Sequence, residues 1–176
     1  VLFSYMKLGE MAGVYLSRRC HENVAVIHNF SAHQASWNNP LPTFDMAMRK
    51  GGFTGNFFFV SAEANRLAGY RCGEQMSRQL ETCDGIFITN DLIASGFSQW
   101  MEDHPDRVRP EIPIISHANK GISTAFSPQI VRLEFDLERL SEAALSHLSD
   151  LMYGQVTDAK SQIWIEPDLV VEDDTT

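Results

Sequence analysis

Four short runs, VAVI at 24–27, FFFV at 57–60, IFI at 86–88 and IPII at 112–115, are apolar almost throughout. A strand with one wet face alternates apolar and polar residues. A continuous run instead points to a strand covered on both faces, as in a parallel sheet sandwiched by helices. The intervening segments have helical character. Leu8, Met11, Ala12, Tyr15 and Leu16 recur at helical spacing, and TFDMAMRKGG, GYRCGEQMSRQL and DLIASGFSQWMEDH follow the next runs in turn. Alternation of this kind predicts an α/β chain with three layers: a mainly parallel sheet and helices on both faces.

Beyond residue 120 the pattern changes. A strand is expected in QIVRLEF, then a helix striped by Leu137, Leu140, Ala144, Leu148 and Leu151, then a last strand over SQIWIEPDLVV. A loop is expected at SAHQASWNNPLP, residues 31–42, where Ser, Asn and Pro interrupt both periodicities.

The chain of 176 residues is 44% hydrophobic, enough for one or two compact lobes and too much for disorder. Fourteen Lys and Arg against 23 Asp and Glu give a net charge of −9, the wrong sign for gripping phosphate backbones unaided. No run has the length of a membrane span, and the residues VLFSYMKLGEMAG do not follow the basic, apolar and small-residue order of a secretory signal. Cys20, Cys72 and Cys83 are widely spaced, so neither a disulfide framework nor a thiolate metal site is indicated, and a reducing cytoplasmic setting is expected.

In an open parallel sheet, ligands bind beyond the carboxyl ends of the strands, where helix N-termini offer unpaired N–H groups. Here those ends carry His28 and Asn29, Ser61, then Thr89, Asn90 and Asp91, and finally Ser116, His117 and Asn119. Asn90, Asp91, His117, Asn119, His28 and Ser61 are therefore candidate ligand contacts, and Trp37 in the long loop is a candidate stacking platform. Asp91 can also cap the helix it opens. The histidines read as hydrogen-bonding groups, with no spacing that marks a metal site, and no cofactor is expected. The signatures of nucleophile elbows, phosphate loops, zinc proteases and dinucleotide sites are missing, so catalysis is not expected. An α/β enzyme using Asp91 or a histidine is the rival such a strand end leaves open.

CDGIFITNDLIASG, with Asn90, Asp91, Ala94 and Gly96, resembles the effector-binding module of the LacI/GalR transcription regulators. YLSRRCHENVAVIHN is similar to that family's helix, turn and strand before the cleft, with Cys20 in place of a glycine. RVRPEIPIISHAN, RLEFDLERLSEAALSHLSDLMYGQ and IEPDLVVEDDTT resemble its later strand, closing helix and final strand. The resemblance implies a periplasmic-binding-protein-like type I fold: one nearly complete lobe plus part of a second, truncated at the N-terminus. Residues 1–120 would form the C-terminal lobe, 121–158 a segment of the N-terminal lobe, and 159–176 the return strand and tail. It implies a homodimer that senses a small sugar-like effector and contacts DNA only through a helix-turn-helix head that precedes this segment in the family. A solute-binding protein of the same fold is the alternative. Two positions depart from the family: Pro40 stands where an Arg is common, and Ala118 or Asn119 where an Asp follows the fourth strand. The stripe from Leu137 to Leu151 would then lack part of its cover.

Overall fold

The computed structural model describes residues 1–30, 38–122, 130–154 and 162–171. Its elements follow the expected alternation: β1 (Leu2–Phe3), α1 (Tyr5–Ser17), β2 (Asn23–His28), α2 (Pro40–Lys50), β3 (Asn56–Ser61), α3 (Arg66–Leu80), β4 (Gly85–Ile88) and α4 (Asp91–Asp103). A 3-10 turn at Pro105–Arg107 leads to β5 (Ile114–Asn119), β6 (Ile130–Phe135), α5 (Leu137–Met152), β7 (Trp164–Ile165) and β8 (Asp168–Val170).

Six strands form one sheet in the order β3-β2-β4-β5-β6-β8, and β1 pairs separately with β7. The pairings from β3 through β6 are all parallel, and β8 alone runs antiparallel, beside β6. The continuous apolar runs have a direct cause. Ala25, Ile27, Ile86, Ile88 and Ile114 pack on one side with Cys72 and Met76 of α3 and Phe97 and Trp100 of α4. Val24, Val26, Phe87 and Ile115 pack on the other with Leu8, Ala12 and Leu16 of α1 and Phe44 and Met48 of α2. Each such side chain, wholly withdrawn from water, contributes about 1.5–3 kcal/mol.

Helix starts are set by side-chain caps. Ser4, Asn39, Asn65, Asn90 and Asp136 each accept first-turn N–H groups of the helix that follows. α2 begins at Pro40, inside the segment expected to be loop as far as residue 42. Proline suits the first helical position because its missing N–H would have no partner there, so PLP opens the helix instead of breaking it.

Two strands differ from expectation. FFFV in β3 is not covered on both faces: β3 is the sheet edge and Phe59 is 52% exposed. The single run over SQIWIEPDLVV is two strands, interrupted at Glu166 and Pro167, because proline cannot donate to the ladder. β7 pairs with β1 and β8 with β6.

β6 falls in the segment 121–158 assigned above to another lobe, yet it is paired with β5 over six residues, from Ile114↔Ile130 to Asn119↔Phe135. The backbone ladder thus puts residues 130–135 with the sheet of residues 1–120. α5 has no buried residue, and Leu148 on its stripe is 54% exposed.

Candidate functional site

The carboxyl ends of β2, β4 and β5 lie side by side because the register aligns Ile27 with Ile88 and Ile88 with Ser116. His28 is level with Ser61 on β3, and His117 with Leu133 on β6. His28 shares its side of β2 with Val24 and Val26, and His117 and Asn119 share theirs with Ile115, so all three face α1 and α2.

Asp91, Asn119 and His117 come together. Asp91 is 8% exposed; its Oδ1 accepts from the Leu92 N–H at 2.9 Å and its Oδ2 from Asn119 Nδ2 at 2.8 Å. His117 is 4% exposed, its ring edge-on to Tyr5 at 5.8 Å and tilted against Phe135 at 5.5 Å. Neither of its ring nitrogens has a hydrogen-bond partner. Burial pulls the His117 pKa below its usual value, and the nearby Asp91 carboxylate and Asn119 oppose this without reversing it. The imidazole is therefore neutral at pH 7, and among the described residues Asn119 is the one side chain beside it that can engage a ring nitrogen.

Asn90 lies between β4 and α4, where it also caps the helix. Its Oδ1 accepts from the Leu92 and Ile93 N–H groups at 3.0 and 3.2 Å, so the oxygen serves α4 and the Nδ2 group is what it can present to a ligand. Thr89 Oγ1 donates to Asn29 Oδ1 at 3.2 Å, joining the ends of β4 and β2. His28 lies farther along the edge, against Phe59 at 6.2 Å, with Nδ1 buried and unpaired; burial lowers its pKa as well. Ser61 is exposed at the end of β3, where it borders a groove with Glu63, Asn65 and Arg71. Trp37 lies outside the described residues.

Two aromatic residues went unnoticed in the sequence. Tyr5, at the start of α1, touches both His117 and Phe30, the latter at 6.2 Å, and burial together with Asp91 raises its pKa. Phe30 could have been found, since it directly follows His28 and Asn29. Tyr5 could not, because its place at the rim depends on how β1 and α1 cross the sheet. Asn38 fixes that crossing: its Oδ1 accepts from the Tyr5 N–H at 2.8 Å and its Nδ2 donates to the Phe3 carbonyl at 2.7 Å.

Chemically the rim offers a carboxylate, amides, hydroxyls and aromatic faces, a set suited to binding a small molecule. Among the described residues no group of three His, Cys, Asp or Glu is close enough to hold a metal ion.

The family model of the periplasmic binding protein-like domain matches residues 14–175. The chain belongs to this family. Among its relatives are the PurR transcriptional repressors of Pectobacterium atrosepticum and Proteus mirabilis, each 26% identical over 163 residues, 92% of this chain. The chain spans about half the length of these relatives, 47% in both cases. Similar folds include a LacI family regulator from Clostridium acetobutylicum (TM-score 0.78, 15% identity, 97% of this chain and 64% of that one). Another, from Arthrobacter sp. FB24, was solved with lactose (TM-score 0.72, 21% identity, 96% and 63%). The family membership and α/β architecture read from the sequence agree with these matches. Among the described residues no helix is long and apolar enough to cross a membrane.

Proposed function

We propose that this periplasmic binding protein-like chain is the ligand-sensing part of a LacI-type transcription regulator, with a small effector held at the carboxyl edge of its parallel sheet. One observation carries this reading: Asp91, Asn119, His117 and Tyr5, from three separate elements, meet at that edge with hydrogen-bonding capacity unused. The relatives named as repressors, and the lactose-bound neighbour of the same fold, support it.

Asp91 and Asn119 bind the effector directly, Asn90 through its amide nitrogen, and Tyr5 covers one face. His28 and Ser61 belong to the outer part of the same rim. Residues 4–135 together with β8 form the lobe that carries these groups, and α5 with β1 and β7 leads into a second lobe. The protein acts as a homodimer in the cytoplasm and reaches DNA through a separate head. Effector contacts that differ between open and closed lobes shift how that head is held, since only differential contacts move such an equilibrium. The test is operator binding by the full-length protein, measured with and without effector. Asp91→Ala should remove the effector's influence and leave basal DNA binding intact. An effector response that survives this change refutes the assignment.

A further inference from the structure

α1 and α2 lie side by side on one face of the sheet, so close that glycines stand where they touch. A Cβ at Gly9 would strike the Pro40 carbonyl, and one at Gly13 the Phe44 carbonyl and the Ala47 side chain. Over this contact the outward faces of the two helices form a cleft of about 450 Å³, lined by Glu10, Val14 and Arg18 of α1 and Met46, Ala47 and Lys50 of α2. Its walls rest on closely packed backbone, so the shape exists before anything binds.

Two kinds of side chain share the cleft. Val14 is 41% and Met46 63% exposed, apolar groups turned to water on helices whose other sides carry the core. Beside them the charge is positive. Lys7 and Glu10 balance each other at 3.0 Å, and Arg18 and Lys50 add to them at the ends of α1 and α2. Arg19 continues the patch around α1: its guanidinium lies 3.9 Å from the centre of the Tyr15 ring and donates to the Tyr15 carbonyl at 3.0 Å. With Val14 and Arg18 it lines a second groove, whose far wall is Leu169 of β8 and Val171. This is a basic surface on a chain of net charge −9. Helix dipoles explain basic residues at the ends of α1 and α2. They do not explain the exposed valine and methionine in the same cleft.

Charge and shape together select the occupant. A nucleic acid would find cations here and nothing to place on the apolar floor, and the net charge of the chain repels it. A flat bilayer does not enter a cleft between helices. A helix does, because its ridges seat in the groove between two others. Apolar residues three and four apart then meet Val14 and Met46, and acids on its flanks meet the cations.

We infer that the cleft between α1 and α2 docks an acidic amphipathic helix of a partner protein, with its apolar stripe on Val14 and Met46 and its carboxylates against Arg18, Arg19 and Lys50. The C-terminal ends of α1 and α2 lead into the amino ends of β2 and β3, so the cationic end of this surface lies opposite the effector rim.

Three peptides of about 18 residues test the assignment, long enough to span α1, which rises about 20 Å over its 13 residues. They share leucines at helical spacing and differ in the polar face, which is glutamate, glutamine or lysine. Binding to the full-length protein is followed by fluorescence anisotropy and amide chemical shifts. The glutamate peptide should bind about tenfold or more tightly than the other two, weaken with added salt, and perturb the amides of Val14, Arg18, Met46 and Lys50. Arg18→Glu combined with Lys50→Glu should reverse the order of the glutamate and lysine peptides, and Met46→Ser should weaken the glutamate peptide. All three residues are exposed, so the melting temperature should hold, which separates lost docking from a lost fold. Equal binding of the three peptides, shifts confined to other surfaces, or no binding by the glutamate peptide overturns the assignment. Phosphatidylglycerol vesicles that perturb these amides when the glutamate peptide does not also overturn it, in favour of a membrane contact. So does a glutamate peptide that binds only after Glu172→Gln, Asp173→Asn and Asp174→Asn, changes to the acids that follow Val171 in the sequence.

Discussion

Asn119 Nδ2 donates to Asp91 Oδ2 at 2.8 Å, a bond between the end of β5 and the first residue of α4 across 28 positions of sequence. It fixes the carboxylate over the ends of the parallel strands, where Asp91, after burial, is the next influence on the pKa of both His117 and Tyr5.

Asn90→Ala should cost stability as well as ligand affinity. Its side chain accepts from two first-turn N–H groups of α4, and loss of such a cap costs about 1 kcal/mol. For a chain of this size the melting temperature should fall by about 2–4 °C. Asn90→Asp, which keeps the accepting oxygen, should restore it. An unchanged urea midpoint for Asn90→Ala would show that the cap does not hold α4.

Stability should decline as the solution is acidified below the ordinary histidine range. Burial lowers the folded-state pKa of both His117 and His28 beneath the ordinary histidine value of 6.5. The unfolded chain then takes up protons first as pH falls, so the stabilisation is complete above about 6.5 and is lost below it. His117→Phe should flatten that part of the profile in denaturant titrations at several pH values. A profile with the same slope in wild type and variant would remove His117 as its source.

Gly69→Ala should loosen the contact between α3 and α4. A Cβ at Gly69 would run into the Ile93 carbonyl, and one at Gly96 into the carbonyl of Arg66, backbone atoms that cannot swing aside. Overpacking of this kind costs about 1–3 kcal/mol, despite the better helix propensity of alanine. Chemical denaturation reads the change, and a more stable variant would contradict the close approach.

Asp136→Ala should fray α5 from its start. Asp136 Oδ1 accepts from the Glu138 and Arg139 N–H groups, and Oδ2 pairs with Lys120. With none of its residues buried, α5 depends on this anchor more than the packed helices depend on theirs. Amide exchange in the first two turns should quicken while that of α1 stays unchanged. Equal protection in both proteins would locate the support of α5 elsewhere. Lys120 holds the Asp136 carboxyl below its usual pKa, so the anchor is in place above about pH 4 and weakens as that acid protonates.

The sequence by itself determined the alternation of helices and strands from α1 to α5, the parallel sheet and the edge on which its polar residues gather. These follow from local patterns: apolar runs such as VAVI and IFI mark strands covered on both sides, and the residue after a parallel strand falls at the same rim each time. Tertiary structure alone decided which of those residues meet. Asn90 looked free in the sequence and is half committed to its own helix. Asp91 found its amide partner 28 residues away, and Tyr5 entered the rim from a helix whose pattern signalled only packing. It also decided that FFFV is an edge strand and that the last strand divides at Pro167. Periodicity reports which face of an element is dry. It contains no term for which element supplies the neighbour, and that choice rests on strand order and helix crossing, which side chains remote in sequence settle together.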